Sequence, residues 1–185
     1  MKTYVLFLCF QCLVLIVFAQ ESKQIRSRKI KESCVRTEQV QKGANERSYT
    51  CTHYDSKGRE IEVKYFDEDS SCVKVEQHEY NRKGKEIRET IIDSLHHKHT
   101  STISTYDRWN RLGERLSTEN TIITERVEYV YNNLDDKTEE ITYDGSGNVK
   151  KRTRFEYDNK GMLTRRTTEN AKGEIIFDRT YRYVY

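Results

Sequence analysis

One residue type recurs along the chain at a nearly constant spacing. Six tyrosines follow one another at intervals of 26, 26, 25, 26 and 26 residues. They are Tyr54, Tyr80, Tyr106, Tyr131, Tyr157 and Tyr183. Asp or Asn follows each of the first five, and a residue type that tolerates positive φ stands four places after each: Gly58, Gly84, Asn110, Asp135 and Gly161. A fixed period of this length is typical of a repeat architecture, in which each repeat packs beside the next.

Each repeat has the pattern of two strands and two turns. In the repeat that begins at Tyr54, charged and apolar residues alternate over residues 59–66, as in a half-buried β-strand. A turn at residues 67–71 and a second strand-like stretch at 72–80 complete the unit. The connections are too short for crossovers between parallel strands. The sequence therefore predicts an all-β antiparallel meander of about 12 hairpin-linked strands, built from ~26-residue repeats and forming an extended or curled sheet.

The N-terminus has the features of a secretory signal peptide. Lys2 precedes an apolar stretch from Val5 to Phe18, and Ala19 stands before the expected cleavage site. We assign residues 1–19 to the signal peptide, 20–33 to a polar linker and 34–185 to the repeat domain. This organisation predicts a secreted protein, located in the periplasm, at the cell surface or outside the cell, with no membrane span after cleavage. The alternative is an N-terminal helix that stays in the membrane.

Charges of both signs are interleaved along the chain. The sequence has 33 Lys and Arg residues against 30 Asp and Glu residues, and Lys2 is the only charged residue of the predicted signal peptide. Such a mixture is typical of a solvated surface and argues against nucleic acid as a partner. Proline is absent from all 185 residues, which suits a chain made almost wholly of paired strands, since proline cannot donate to a β ladder.

Three cysteines remain after signal cleavage. A hairpin turn centred between Lys42 and Gly43 pairs residues whose numbers sum to 85, so Cys34 and Cys51 face each other. Because the expected compartment permits disulfides, we predict that Cys34 and Cys51 are bonded. Cys72 is then left over, and we expect it to be a small buried hydrophobic residue.

No constellation of catalytic, metal-binding or cofactor-binding residues emerges from the sequence. His96, His97 and His99 fall in one predicted turn without a carboxylate or thiolate at a recurring ligand spacing, which favours a solvated loop over a metal site. Residues 145–147, Gly-Ser-Gly, form a predicted hairpin turn and not a phosphate loop. We therefore expect a protein that is not an enzyme and has no cofactor or metal; a hydrolase that uses two carboxylates ranks third among the functions considered.

Three stretches carry a resemblance to a known family. Tyr54-Asp55-x-x-Gly58-Arg59, Tyr80-Asn81-x-x-Gly84-Lys85 and Tyr157-Asp158-x-x-Gly161-Met162 resemble the tyrosine–aspartate (YD) repeat of rearrangement-hotspot (RHS) proteins. The resemblance covers roughly residues 28–185 and implies strips of β-hairpins. Large members wind these strips into shells around toxin domains or display them outside the cell, and carbohydrate binding is ascribed to some. This chain has too few repeats for a closed shell and no recognisable toxin domain, so the resemblance implies a small exported module.

Two functions are expected. The first is binding or scaffolding at the cell envelope or outside the cell, with a glycan as the ligand to test first, because a row of aromatic rings flanked by polar residues suits sugar stacking. The alternative is a protein-interaction module, such as an immunity or accessory partner of a secreted toxin, that binds a cell-surface or secreted protein through the strand edge near Cys34 or Tyr185.

The individual roles expected of the aromatic residues differ. The six tyrosines are interpreted as framework, with an exposed row that stacks on sugar rings as the alternative. Trp109 lies at the third tight turn, where other repeats have lysine. It is a candidate ligand contact, while packing over the neighbouring strand is equally expected. The sequence leaves open the oligomeric state and which face of the sheet is exposed.

Overall fold

The part of the chain that the structure describes forms twelve antiparallel β-strands in one open sheet, and their order in the sheet is their order in the sequence. This architecture confirms the predicted all-β meander. The strands are β1 Glu32–Gln41, β2 Ala44–Tyr54, β3 Glu60–Phe66, β4 Cys72–Tyr80, β5 Glu86–Asp93, β6 Lys98–Tyr106, β7 Leu112–Glu119, β8 Ile122–Tyr131, β9 Lys137–Asp144, β10 Val149–Tyr157, β11 Leu163–Asn170 and β12 Ile175–Thr180.

A computed structural model describes residues 23–41 and 44–184, without the side chains of residues 39–41 and 44–46. The predicted signal peptide and the centre of the first hairpin turn lie outside these residues. The described residues belong to two compact units. The first runs to His78 and adds Ile92–His96, and the second comprises Glu79–Ile91 and the residues from His97 onward.

The side chain that follows each tyrosine closes the turn. At the first of these turns, Asp55 Oδ1 accepts the backbone N–H groups of Lys57 (2.8 Å) and Arg59 (3.0 Å). Gly58 N–H donates to the Asp55 carbonyl at 2.9 Å, and Gly58 has a φ of 76°. This geometry is a type I turn followed by a left-handed residue, a common hairpin connection. Side-chain oxygens make such bonds again at Asn81, Asp107, Asn132, Asp144, Asp158 and Asn170.

The residue four places after each of the first five repeated tyrosines has a positive φ. Its φ is 83° at Gly84, 68° at Asn110, 68° at Asp135 and 75° at Gly161. Asn and Asp tolerate this conformation better than other residues with a side chain. The Gly, Asn and Asp of the repeat therefore occupy the one backbone position in the turn that requires them.

The hydroxyls of the repeated tyrosines form hydrogen bonds with the preceding strand. Each donates to a backbone carbonyl group: Tyr106 to that of Glu86 (2.9 Å), Tyr131 to that of Leu112 (3.1 Å), Tyr157 to that of Lys137 (2.8 Å) and Tyr183 to that of Leu163 (2.9 Å). The Tyr54 hydroxyl lies 3.0 Å from that of Ser33 on β1. In this repeated contact the tyrosines act as structural members of the sheet, with rings that are mostly half-buried.

Few side chains are fully buried. The buried apolar residues of the strands include Val63, Val127 and Ile141, with 4–8% of their surface exposed. Thr153 and Thr168 are also buried and share a hydrogen bond of 3.0 Å between their hydroxyls. Because this apolar core is small, the ladder bonds, turns and cross-strand pairs contribute a large share of the stability, as in other repeat proteins.

The segment expected to be a polar linker has structure of its own. Residues 23–28 are helical, and Ile25 is buried, with 7% of its surface exposed. The backbone of Lys31 accepts the Tyr54 N–H at 2.9 Å. Arg26 lies so close to Gly58 that a Cβ added to this glycine would be 3.0 Å from the Arg26 Cβ. The segment therefore packs on the turn between β2 and β3, and β1 begins two residues before the predicted domain boundary.

The first hairpin has the register derived from its sequence. Cys34 pairs with Cys51 across β1 and β2, the two Cα atoms are 4.1 Å apart, and the sulfurs are bonded. The predicted disulfide is confirmed. The expectation that Cys72 is buried is wrong, because this free thiol is exposed. It begins β4 opposite Phe66, at an irregularity in the β3–β4 register.

Candidate functional site

The strands of the second unit present two chemically different faces. Thr153 pairs with Thr168, and Thr168 pairs with Phe177, so these side chains share the face that carries Tyr157. We call this the tyrosine face. Arg152 pairs with Glu169 on the opposite side, which we call the charged face.

Aromatic rings and cationic side chains alternate across the tyrosine face. Lys137 Nζ lies 5.4 Å from the ring centroid of Tyr129 and 4.6 Å from that of Phe155. The Arg166 guanidinium carbon lies 5.8 Å from the Phe155 centroid and 5.4 Å from the Phe177 centroid. These distances are within the range of cation–π attraction. We call the set the aromatic–cation strip; its members are Tyr129, Lys137, Phe155, Arg166, Phe177 and Arg179.

The strip is accessible to solvent at its β11–β12 end. Arg166 and Arg179 are exposed, and Phe177 keeps 37% of its surface exposed. Tyr129 and Phe155 are half-buried. Burial raises the pKa of the Tyr129 phenol, while the positive charge of the nearby Arg115 opposes this shift. A ligand can therefore contact ring faces and cations together along this surface.

The charges of the strip are mostly unpaired. Lys137 binds Glu140 at 2.9 Å. Among the described residues, Arg166 and Arg179 have no carboxylate within ion-pair distance. On the charged face, by contrast, Arg152 binds Glu139 at 2.9 Å. The strip thus combines aromatic surface with positive charge that the protein itself does not neutralise.

Trp109, the candidate ligand contact from the sequence, is 57% exposed in the turn between β6 and β7. The guanidinium carbons of Arg108 and Arg111 lie 3.8 Å and 4.6 Å from its ring centroid. Arg111 also binds Asp107 (2.8 Å) and Asp135 (2.7 Å). Trp109 is therefore an exposed ring held by neighbouring arginines, and its ring contacts do not include the strip.

The first unit contains a groove beside the N-terminal segment. Its volume is about 610 Å³, and its lining includes Ile25, Ile30 and Ile61. Tyr54 also lines it, but its hydroxyl is already bonded to Ser33. Arg26, Lys29 and Asp55 also line the groove, so its wall combines apolar side chains with charged ones. The sequence does not indicate it, because the polar composition of residues 20–33 predicts a linker.

The ionisable groups described do not assemble a recognisable catalytic site. The largest shift with a resolved value is at Tyr65, where burial and the Glu76 carboxylate, 3.0 Å from the phenol oxygen, raise the pKa to about 12. Such a phenol stays protonated at neutral pH and is a poor base. The sulfur atoms of Cys34 and Cys51 lie near Glu32, but because they are joined in a disulfide neither is available as a thiolate ligand for a metal.

The three histidines of the β5–β6 region are exposed. The His96 ring Nδ1 lies 2.8 Å from the Asp93 carboxylate, and this hydrogen bond lowers the pKa of Asp93.

No helix in the part of the chain that the structure describes is long and apolar enough to cross a membrane.

No protein-family model matches the sequence, and no curated protein matches it. Similar solved structures include a porin-like protein from Bacteroides uniformis, with 14% identity, a TM-score of 0.37 and coverage of 76% of this chain and 56% of that one. The TcdB2-TccC3-Cdc42 structure has 11% identity, a TM-score of 0.31 and coverage of 84% and 11%. TarM has 12% identity, a TM-score of 0.26 and coverage of 85% and 23%. The chain spans less than two thirds of each, and similarity at this level supports no conclusion about function.

The sequence locates the face of this site but not its cations. Tyr129 and Phe155 share the parity of the repeated tyrosines, whereas nothing in the repeat pattern singles out Lys137, Arg166 or Arg179. The constant-sum pairing that places Cys34 opposite Cys51 does not hold through β10 and β11, because the register shifts between the pair Phe155–Arg166 and the pair Tyr157–Leu163. The missed signal is therefore the register of the later hairpins.

Proposed function

We propose that this protein is an exported binding module of the YD-repeat type that recognises carbohydrate through the aromatic–cation strip. The observation that carries the proposal is the line of rings at Tyr129, Phe155 and Phe177, joined by cationic side chains on a face with solvent access. Aromatic rings provide flat apolar surface for the C–H groups of a sugar, and guanidinium groups donate hydrogen bonds to its oxygens. The disulfide is consistent with an exported protein.

The roles of the other aromatic residues support this location. The hydroxyls of Tyr106, Tyr131 and Tyr157 donate hydrogen bonds to backbone carbonyl groups, so these side chains are better suited to a structural role than to binding a ligand. Phe177 has no such bond to make and is 37% exposed on the last strand. It is the aromatic residue of the strip that a ligand reaches most easily.

The experiment compares two aromatic truncations in the protein without residues 1–19. Phe177→Ala removes a ring of the strip, and we expect about a tenfold loss of affinity for a glycan found by array screening, equivalent to about 1.4 kcal/mol. Tyr143→Ala is the matched control, because Tyr143 lies on the charged face, where it binds Glu128 at 2.8 Å. Equal affinities of the two variants, or a larger loss with Tyr143→Ala, would contradict the proposal.

A second candidate is a protein-interaction module that uses the edge of β12. All six residues of this strand are exposed, and Ile175 and Ile176 keep 59% and 60% of their surface in solvent. An edge strand with exposed apolar residues is suited to strand addition. The partner would be a secreted or cell-surface protein, such as a toxin.

A proline substitution separates the two candidates. The Tyr181 N–H points inward to Thr164, so the alternation along an antiparallel strand directs the N–H of Thr180 to the outer edge. Thr180→Pro removes this donor. We expect it to leave glycan affinity within about twofold of the original; loss of capture of a protein partner in this variant would support the second candidate instead.

A further inference from the structure

We infer that the ligand of the aromatic–cation strip is an acidic glycan, whose sugar rings stack on the aromatic side chains and whose carboxylate or sulfate groups bind Arg166 and Arg179. The inference rests on the proposed carbohydrate function and adds the charge of the sugar. The two arginines lie on β11 and β12, at the most exposed end of the strip.

The first observation is that two like charges face each other directly. Arg166 and Arg179 are cross-strand partners, and each guanidinium carbon is 5.4 Å from the ring centroid of Phe177. Like charges at directly opposite positions destabilise a sheet. An oxyanion between the two guanidinium groups would relieve this repulsion and accept hydrogen bonds from both.

The second observation is that arginines on the other face have partners. Arg165 precedes Arg166 in the sequence and points to the charged face, where it donates to both oxygens of Asp178 at 3.0 Å and 2.7 Å. Arg154, also on that face, binds Glu169. Within the described residues neither Arg166 nor Arg179 has an equivalent carboxylate. The positive charge that is left over is therefore located on the face that carries the exposed rings.

The chemistry of guanidinium makes these contacts compatible. A guanidinium group that stacks on a ring retains its N–H groups, which lie in its own plane and match the two oxygens of a carboxylate or sulfate. Arg115 adds a cation beside Tyr129 at the other end of the strip, in addition to Lys137, Arg166 and Arg179. From β8 to β12 there are four strand spacings, or about 19 Å, which is the scale of an oligosaccharide.

The binding test uses three defined probes in titration calorimetry with the protein lacking residues 1–19. Tetragalacturonate supplies carboxylates, its fully methyl-esterified form supplies the same rings without charge, and a chondroitin sulfate tetrasaccharide supplies sulfate. At low salt we expect at least one acidic probe to bind about tenfold more tightly than the neutral ester. This advantage should largely disappear at about 1 M NaCl, where the screening length is about 3 Å.

Two neighbouring substitutions give the matched control. Arg166→Gln should weaken binding of the acidic probe by about fivefold or more and leave binding of the neutral ester within about twofold. Arg165→Gln removes one charge from the charged face and should change neither. Arg179→Gln, on the edge strand, repeats the test independently of Arg166. Without ligand at low salt, Arg166→Gln should change the free energy of unfolding by less than about 1 kcal/mol, because loss of the like-charge contact offsets loss of the cation–π contacts with Phe155 and Phe177.

The outcomes distinguish this inference from the proposed function. If the ester and the acid bind equally well, the strip binds carbohydrate and the inference about charge is overturned. If no glycan binds, both fail. If inorganic sulfate or a dodecathymidylate binds as tightly as the acidic sugars, the site is a general anion or nucleic-acid surface and the inference is wrong. Equal effects of Arg165→Gln and Arg166→Gln would also overturn it.

Discussion

The hydroxyl of Tyr157 provides a direct measure of what the repeated tyrosine contributes to stability. It donates to the Lys137 carbonyl at 2.8 Å, and it is partly buried. Tyr157→Phe removes this bond and keeps the ring. A net intramolecular hydrogen bond contributes about 0.5–1.5 kcal/mol, and an acceptor left without its partner shifts the cost upward. We therefore expect the free energy of unfolding to fall by about 1 kcal/mol.

Urea unfolding followed by far-ultraviolet circular dichroism measures this change. With a slope of about 2 kcal/mol/M, a loss of about 1 kcal/mol moves the midpoint down by about 0.5 M. Tyr181→Phe is the matched control, because the Tyr181 hydroxyl has no hydrogen bond to another described residue. We expect the midpoint of the control to move by less than about 0.15 M. The reasoning is refuted if the two variants have the same midpoint.

The pH dependence of stability provides an independent test of the contribution of the Tyr157 hydroxyl. Burial raises the pKa of the Tyr157 phenol above its usual value near 10, with a smaller contribution from Asp136. The group therefore stabilises the folded state below about pH 10, and this contribution is lost as the pH rises through the folded pKa. Above pH 10 the original protein should lose more stability than Tyr157→Phe. A parallel loss in both proteins would contradict the role of this hydroxyl.

Three further predictions concern the disulfide and the turns. Cys34 and Cys51 are 17 residues apart, and replacing both by Ser should lower the free energy of unfolding, measured in urea titrations, by about 3 kcal/mol. In the original protein without residues 1–19, only Cys72 should react with a thiol reagent. Although desolvation opposes the shift, hydrogen bonds from Arg111 lower the pKa of Asp107, so the contribution of this carboxylate to stability is lost as the pH falls below about 3.8. The free energy of unfolding of Asp107→Asn should therefore fall less on acidification than that of the original protein, and the same pH profile for both proteins would count against this. Gly161 has a φ of 75° and open space where a side chain would begin, so Gly161→Ala should cost about 1–2 kcal/mol through backbone strain alone and Gly161→Asn less; equal costs would contradict the strain argument.

The predictable part of the fold depends on local rules repeated along the chain. Asp or Asn after the tyrosine supplies the oxygen that binds two backbone N–H groups, as at Asp55, and the residue three places later takes a positive φ, as at Gly58. Both requirements act within five residues, so the sequence contains them in full. Once the turns are located, short connections make neighbouring strands antiparallel, and the register of the first hairpin places Cys34 opposite Cys51.

The parts that sequence reasoning misses depend on contacts between distant residues. The helical segment at residues 23–28 is polar apart from Ile25, and this side chain is buried where the segment packs on the turn between β2 and β3. The aromatic–cation strip could not be predicted from the sequence for a related reason. Lys137 reaches both Tyr129 and Phe155 only because β9 lies between β8 and β10, with an irregular register beside Tyr131. A hydrophobic pattern does not reveal such irregularities.

The contacts that stabilise the second unit lie apart from the unpaired arginines of the aromatic–cation strip. Turn side chains and tyrosine hydroxyls bond to the backbone, and cross-strand ion pairs such as Arg165 with Asp178 lie on the charged face. Arg166 and Arg179 take part in none of these bonds, and their direct opposition costs stability in the absence of a ligand. A sheet that uses one face for its own ion pairs leaves the other free to keep unpaired charge. For this reason we expect substitutions at Arg166 or Arg179 to change ligand affinity more than the free energy of unfolding, since each loses cation–π contacts but also a like-charge contact. Asp178→Asn, which weakens the pair with Arg165, should instead lower the free energy of unfolding.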